Sequence, residues 1–496
     1  MLEGAKKEGG SMSTNTVKPV RRSYWIHSIV FVVLSIGIGF LPPVGQITEY
    51  GMDILGLFIG LIYGWSFIGF LWPSIFGFIV LGFTSFASNV DMAVSTGFSQ
   101  PLIWQVFFMM LFAEIMNRLG LTEYIGYWLI SRKICIGRPW VFVFILFTAS
   151  WIVGGLVSQY AAAFMLWSIL YELFEKCGFE KRSGFVTYCI AGIMFIAAMA
   201  CMVFPFEPYP MVTLGLCADA GATTLPFVPW LVVGVTTAVM LSLIYILVGK
   251  YIFKFDLSAL KQAGMILSEH RSNKMTYENK IAMTLLTIFI AVLVLVGILP
   301  DSIAFIAFFK RLNLLGLALL AICVVLIWRR KDGSPLLTFR ELMNGVSWEI
   351  VIMFAVTLPL GSAMESADTG IMKTVLDALM PVFGSLSPAA FVAVCIVVLG
   401  LLTQVAHNLV LTMTFTPMLA SLAVNYGIDP LLMGFLLVTI FQCATATPAA
   451  SAQAAAVYSN EKWVGSKYAY IFGIAFAIIS ILVMICIAYP LGSLLF

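Results

Sequence analysis

The stretch from Ser387 to Val424, SPAAFVAVCIVVLGLLTQVAHNLVLTMTFTPMLASLAV, is apolar enough to sit in a bilayer. A polar run, Thr403-Gln404-Val405-Ala406-His407-Asn408, interrupts its centre. A helix that crosses a membrane needs roughly 20 consecutive apolar residues. These residues read better as two half-helices meeting at a buried polar turn. Irregular backbone at membrane depth survives only where protein covers it or where it lines a cavity. Half-helix ends aimed at a midplane cavity are how many secondary carriers hold ions and anions. The pattern therefore predicts a re-entrant hairpin whose tip, near His407 and Asn408, touches a transported solute.

Composition sets the class around this hairpin. Of 496 residues, 61% are hydrophobic and only 10% charged, against about 25% charged in a soluble domain. The chain reads as an all-α polytopic membrane protein. Its net charge of +3 is spread over loops, which argues against nucleic acid as a partner. Nine cysteines are scattered through apolar spans with no CxxC pair, so they read as small core residues and no cofactor is expected. Three widely separated histidines (His27, His270, His407), and the lack of HExxH, GxSxG and P-loop motifs, argue against an enzyme. An ATP-driven pump would need a soluble nucleotide domain, and the largest loop, about 251–280, is too short for one.

Loop charges give the topology, since basic residues stay cytoplasmic. Lys18, Arg21 and Arg22 place the N-terminus inside. Spans follow at about 26–41, 51–72, 74–89 and 101–130, with the Asp91-bearing segment 90–100 read as an outer loop. Residues 139–173 form a second apolar stretch, with Gly154 to Tyr160 at its centre and basic residues on both flanks (Arg132, Lys133 and Arg138; Lys176, Lys181 and Arg182). It should dip in from the cytoplasm and return. The 387–424 hairpin has acidic flanks, Asp377 and Asp429, and should enter from outside. Spans at about 184–217 (broken by Pro205, Pro208 and Pro210), 229–250, 281–299, 312–328, 347–376, 431–460 (broken around Thr445 to Pro448) and 467–490 complete eleven crossings. The N-terminus is then cytoplasmic and the C-terminus outside. No cleavable leader is expected, because the polar start runs into a helix without an Ala-x-Ala site; Met12 offers an alternative start after a tag-like opening.

Two hairpins of opposite approach are what an inverted-topology repeat produces. The first half reads Trp104, apolar run, hairpin, then a span broken at Phe206-Glu207-Pro208. The second reads Trp348, apolar run, hairpin, then a span broken at Ala446-Thr447-Pro448. The expected divisions are an N-terminal segment 1–25, scaffold helices 26–100, repeat 101–250, cytoplasmic loop 251–280, scaffold helices 281–345, and repeat 346–496.

In these features the chain resembles the divalent anion–sodium symporters, the dicarboxylate and sulfate carriers of the ion-transporter superfamily. Their halves each carry a Ser-Asn-Thr hairpin tip and a Thr-Pro in the broken span that follows. The corresponding tips here are Ser158-Gln159-Tyr160 and His407-Asn408-Leu409, and the pairs are Glu207-Pro208 and Thr447-Pro448. The resemblance implies a sodium-coupled carrier of small organic or inorganic anions, in the cell membrane and homodimeric through its scaffold. It also implies an elevator mechanism, in which hairpins and broken spans move as one body. Substrate would lie between the two tips and breaks. One sodium would be shared by Thr403, Ala406, Asn408 and Ala446, and a second, altered site would fall on Gly154, Gln159 and Phe206.

Single residues keep two readings. An intramembrane carboxylate such as Glu207 costs about 2.5–3.5 kcal/mol on insertion scales. It either pairs structurally or works: as a proton carrier, a replacement for one sodium, or the answer to a cationic group on the substrate. A charged Glu207 would disfavour a dicarboxylate. His407 is a donor, a second titrating group, or a packing histidine. Glu114 and Arg118, spaced i, i+4, read as a structural ion pair, and Glu349 and Glu365 as interfacial residues. A cation/proton antiporter that exchanges through Glu207 is the rival function.

Overall fold

The computed structural model describes residues 22–156, 158–200, 202–205, 207–257, 260, 275–300, 302–374, 377, 386–448 and 450–496. Phe206, Lys18, Arg21 and most of the loop 251–280 lie outside the described residues. Among the described residues the regular structure is helical, apart from one isolated bridge between Arg329 and Pro335. Seven of these helices are long and apolar enough to cross a membrane alone, or eight if one bent pair counts as a single span. The remaining apolar helices among the described residues have 10–17 residues. The chain is a multi-pass membrane protein.

The first part comprises α1 (Arg22–Gly37), α2 (Glu49–Phe67), α3 (Leu71–Leu81), α4 (Val90–Phe98), α5 (Pro101–Arg118) and α6 (Leu121–Ile130). The segment read as an outer loop at 90–100 is a helix. Asn89 accepts the Met92 amide at 2.8 Å as an N-cap, and Asp91 sits in the first turn. The polar residues that looked like a loop are the start signal of α4. It meets α5 at a 56° bend, before Pro101. The expected span 101–130 also divides, at Gly120, whose φ of +70° favours a residue without a Cβ.

The first hairpin is α7 (Pro139–Leu156) and α8 (Gln159–Lys176). Next come α9 (Gly184–Ala200), a break, and α10 (Pro208–Leu216), then α11 (Phe227–Leu247). The segments α12 (Tyr277–Ile298), α13 (Ala304–Ile327, kinked at Asn313), α14 (Phe339–Met343) and α15 (Trp348–Glu365) lead to the second hairpin. That hairpin is α16 (Pro388–Leu402) and α17 (Asn408–Val424). A second broken pair follows, α18 (Pro430–Gln442) and α19 (Ala452–Tyr458), and then α20 (Ser466–Val483) and α21 (Tyr489–Leu495). The expected span to 376 stops at Glu365, where Ser366 begins a turn closed by Gly370 at φ +66°.

Packing sorts these helices into two apolar cores. One is built from α7, α8, α9, α11, α16, α18 and α20, around side chains such as Phe147, Tyr188, Phe195, Phe435 and Phe476. The other is built from α2, α3, α5, α12, α13 and α15, around Leu61, Phe112, Leu286, Val325 and Phe354. Helix α10 and one face of α17 meet the second core through Val212, Leu216, Val410 and Met413. The hairpins sit differently in the first core. Both arms of the first pack on α9, and both arms of the second pack on α18. The base of the first hairpin adjoins the segment after α19: the Arg182 amide donates to the Trp463 carbonyl at 3.1 Å, and Asn460 Nδ2 to the Tyr171 hydroxyl at 2.6 Å. The base of the second lies beside the residues after α10, where Thr223, Pro226, Pro388, Val424 and Asp429 line one recess.

Candidate functional site

The sequences at both tips end one helix and start another within two to five residues, so each tip presents a helix N-terminus. Helix α8 starts at Gln159, after Ser158 in extended backbone whose side chain caps nothing. Helix α17 starts at Asn408, with His407 as its N-cap. The second half of the first broken pair, α10, likewise starts after Glu207, again without a side-chain cap. All three starts reach one cavity of about 580 Å³. Ser158, Gln159, Tyr160, Glu207, His407, Asn408 and Leu409 line it, as does Gly154 from the last turn of α7. Unpaired amides at a helix start attract anions.

The tips are also tied to one another. The Tyr160 hydroxyl lies 3.5 Å from Gln453 Oε1, and Gln453 Nε2 donates to Gln442 Oε1 at 3.2 Å. Asn408 Nδ2 donates to the same Gln442 oxygen at 3.3 Å. A chain of neutral amides thus runs from the first tip to the second through both halves of the second broken pair. Gln442 and Gln453 are each about 1% exposed. The second tip is fastened to the break beside it by Gln404. Its Nε2 donates to the Gly400 and Cys443 carbonyls at 2.8 and 3.0 Å, while its Oε1 accepts the Thr445 and Ala446 amides at 3.0 and 2.9 Å. The Asn408 amide donates to the Ala450 carbonyl at 3.2 Å.

The remaining expected residues fall around this fastening rather than on the cavity wall. Thr403 is fully buried, and its hydroxyl donates to the Phe441 carbonyl at 3.3 Å. Ala446 accepts the Tyr458 hydroxyl at 2.8 Å. Thr447 donates its hydroxyl to the Gln404 carbonyl at 2.7 Å. Neither Thr447 nor Pro448 is among the cavity-lining residues, and Ala406 is half-buried away from it. Thr403, Ala406, Asn408 and Ala446 are nevertheless drawn to one junction of tip and break. Of the first-half set, Gly154 and Gln159 share the cavity, while Phe206 is outside the described residues. The backbone places Pro208 at the first position of α10.

One acceptor in the cavity wall lacks a donor, and another lacks a cation, among the described residues. Gln159 is 8% exposed, and its Oε1 is buried without a hydrogen-bond partner. Glu207 is 7% exposed, and its carboxylate forms no ion pair with the described residues. An unmet buried acceptor costs about 1–3 kcal/mol, and more if charged. A helix start returns only about 0.3–1 kcal/mol to an anion, and to a carboxylate it offers nothing a proton or cation could not better. Neither group is there for the stability of the empty protein. His407 is better provided for. Its Nδ1 accepts the Leu409 amide at 3.3 Å, which fits the tautomer with the proton on Nε2, and its ring meets Phe70 edge-on at 5.4 Å between centroids.

The wall opposite the tips comes from the second core. Phe70, Glu114 and Asn117, with Ser347 and Glu349 from the start of α15, complete the lining. Glu114 keeps the ion pair expected of its spacing, with Arg118 Nε at 2.6 Å. Glu349, exposed in the first turn of α15, also lines the cavity. The first turn of α15 lies beside the end of α5, a pairing through space that no local pattern announces. Gln442 and Gln453 were also passed over. The available signal was a lone primary amide inside an otherwise apolar or alanine-rich run, the same signal that marked the tips.

The sodium-dependent dicarboxylate transporter SdcS of Staphylococcus saprophyticus is 22% identical to this chain over 284 residues. The match takes in 56% of this chain and 54% of that protein, so about half of the relative's length is spanned. The family described as CitMHS, citrate transporter, matches residues 20–440. That range contains both hairpins, the first break and all but the last two residues of the first half of the second broken pair. The resemblance to divalent anion–sodium symporters read from the tips thus has support along most of the sequence, and the chain belongs to the citrate transporter family.

Proposed function

We propose that this protein is a secondary active carrier that moves a small organic acid, or an inorganic anion, across the cell membrane by an elevator-type alternating-access mechanism. The observation that carries the proposal is the convergence of both hairpin tips and the Glu207 break on one cavity. Its walls belong to two different apolar cores. The core holding the hairpins would be the moving body, and the other the scaffold and dimer surface. The cavity is lined by the ends of α5 and α15 that lead into Arg132–Arg138 and out of Arg329–Lys331. By the positive-inside rule this end is cytoplasmic, so the conformation would be the inward-facing one, with the N-terminus inside and the C-terminus outside.

Sodium is the proposed coupling ion, held where Thr403, Ala406, Asn408 and Ala446 meet. One observation favours a second reading. The Glu207 carboxylate, without an ion-pair partner among the described residues, is placed to take up a proton, which would make the carrier proton-coupled or an antiporter. Reconstituted vesicles decide between them. An inward sodium gradient should drive uptake of labelled acid with no pH gradient present. Uptake that follows only a pH gradient would transfer the coupling role to Glu207. Cation-dependent proton flux with no acid moved would replace the proposal by antiport.

A further inference from the structure

The acid that enters this cavity has to satisfy what the wall leaves open, and the wall asks for a positive group. Among the described lining residues there are three carboxylates, Glu114, Glu207 and Glu349, and no lysine or arginine. Glu114 already has Arg118 as its cation. Glu207 has none among the described residues, and Gln159 on the first tip holds a buried oxygen with no donor. A dianion brought to this wall would find two more acceptors and no fixed counter-charge. On the second tip the chemistry is reversed. His407 presents Nε2–H when its Nδ1 accepts the Leu409 amide, and the start of α17 lies beside it. One side of the cavity therefore wants hydrogen-bond donors with positive charge, and the other wants a carboxylate.

We infer that the carried acid is zwitterionic, with an ammonium group received by Gln159 and Glu207 and a carboxylate received by the His407 Nε2–H. The inference rests on the carrier reading above and narrows its substrate class. An ammonium supplies three N–H donors and one positive charge, which meets both open acceptors at once. Glu207 then stays ionised and acts as a counter-charge.

Matched acids that differ only by the amine test it: succinate against L-aspartate, and propionate against β-alanine. The purified carrier is melted with each, and reconstituted vesicles are assayed for uptake of each under a sodium gradient. The amine-bearing member should raise the melting temperature and be taken up, with its twin at least tenfold weaker in apparent affinity. Gln159→Leu and Glu207→Gln should each narrow that ratio to about twofold. Gln159→Leu should also leave the empty protein at least as stable as wild type, because it removes an unmet acceptor. Equal or stronger binding of the amine-free twins by the wild type overturns the inference and leaves anion transport standing. So does binding of succinate or citrate that appears only with added magnesium, since the positive group is then a metal ion. If no member of either pair binds, the inference fails. The carrier reading fails with it only if sodium-driven uptake is also absent for citrate and inorganic phosphate.

Discussion

Glu207 is the residue on which the chemistry turns, and its amide isostere separates its roles. Glu207→Gln preserves shape and removes both charge and titration. As a counter-charge, its loss should raise the apparent KM for an amine-bearing acid at least tenfold, about 1.4 kcal/mol or more of binding. In the wild type, uptake should fall once the medium is acidic enough to protonate the carboxylate, and this fall should vanish in the variant. Full transport by Glu207→Gln at every pH would mark the residue as structural. Asn408 makes a separate prediction. It sits at the junction of tip and break, and Asn408→Ala removes both its donation to Gln442 and its oxygen at the proposed sodium site. The sodium dependence of uptake should weaken by tenfold or more while folded protein falls little. If sodium never stabilises the wild type in a melting assay, the ion site is misassigned.

At the scale of the element, the hairpin and its broken partner act as one unit because the Gln404 side chain closes three hydrogen bonds between them. Replacing it with leucine strands the Thr445 and Ala446 amides in a buried setting, each at a cost of about 1–3 kcal/mol before relaxation. Gln404→Leu should therefore lower the melting temperature by several degrees and abolish uptake. An unchanged melting curve would mean that the fastening is not made. The interruptions at 157–158 and 403–407 were legible, since a polar cluster inside an apolar run admits few explanations in a membrane. The breaks were legible through Pro205, Pro208 and Pro448. Less was readable where one residue serves two signals: Asn89 and Asp91 look equally like a loop and like the capped start of α4. The amides of Gln442 and Gln453 become meaningful only when both tips are seen to end on them.

At the scale of the molecule, the proposed mechanism would have the two cores that meet across the cavity slide as two bodies. Ser362 of α15 donates to Asp219, just after α10, at 2.9 Å across that seam and away from the cavity. Cysteines at both positions, in a background without the native ones, should be joined by a short bifunctional thiol reagent, and joining should stop uptake until the link is cleaved. Full transport by the linked protein would exclude relative motion at this seam. The assignment of helices to bodies was only partly readable, because loop charge orders spans along the chain but does not say which spans share a core. Glu207 has one more consequence at this scale. It is the only Asp, Glu, Lys or Arg in the turns at the two tips and in the breaks of the two broken pairs. If it remains ionised, the empty moving body carries one uncompensated negative charge at the cavity, and a field across the membrane acts on it. A potential negative inside would drive that charge outward with up to about 2.3 kcal/mol per 100 mV, in proportion to the fraction of the field it crosses. An ammonium seated against Glu207 cancels the charge, so the cell's resting voltage would hold the unoccupied carrier facing out and release its grip when cargo arrives.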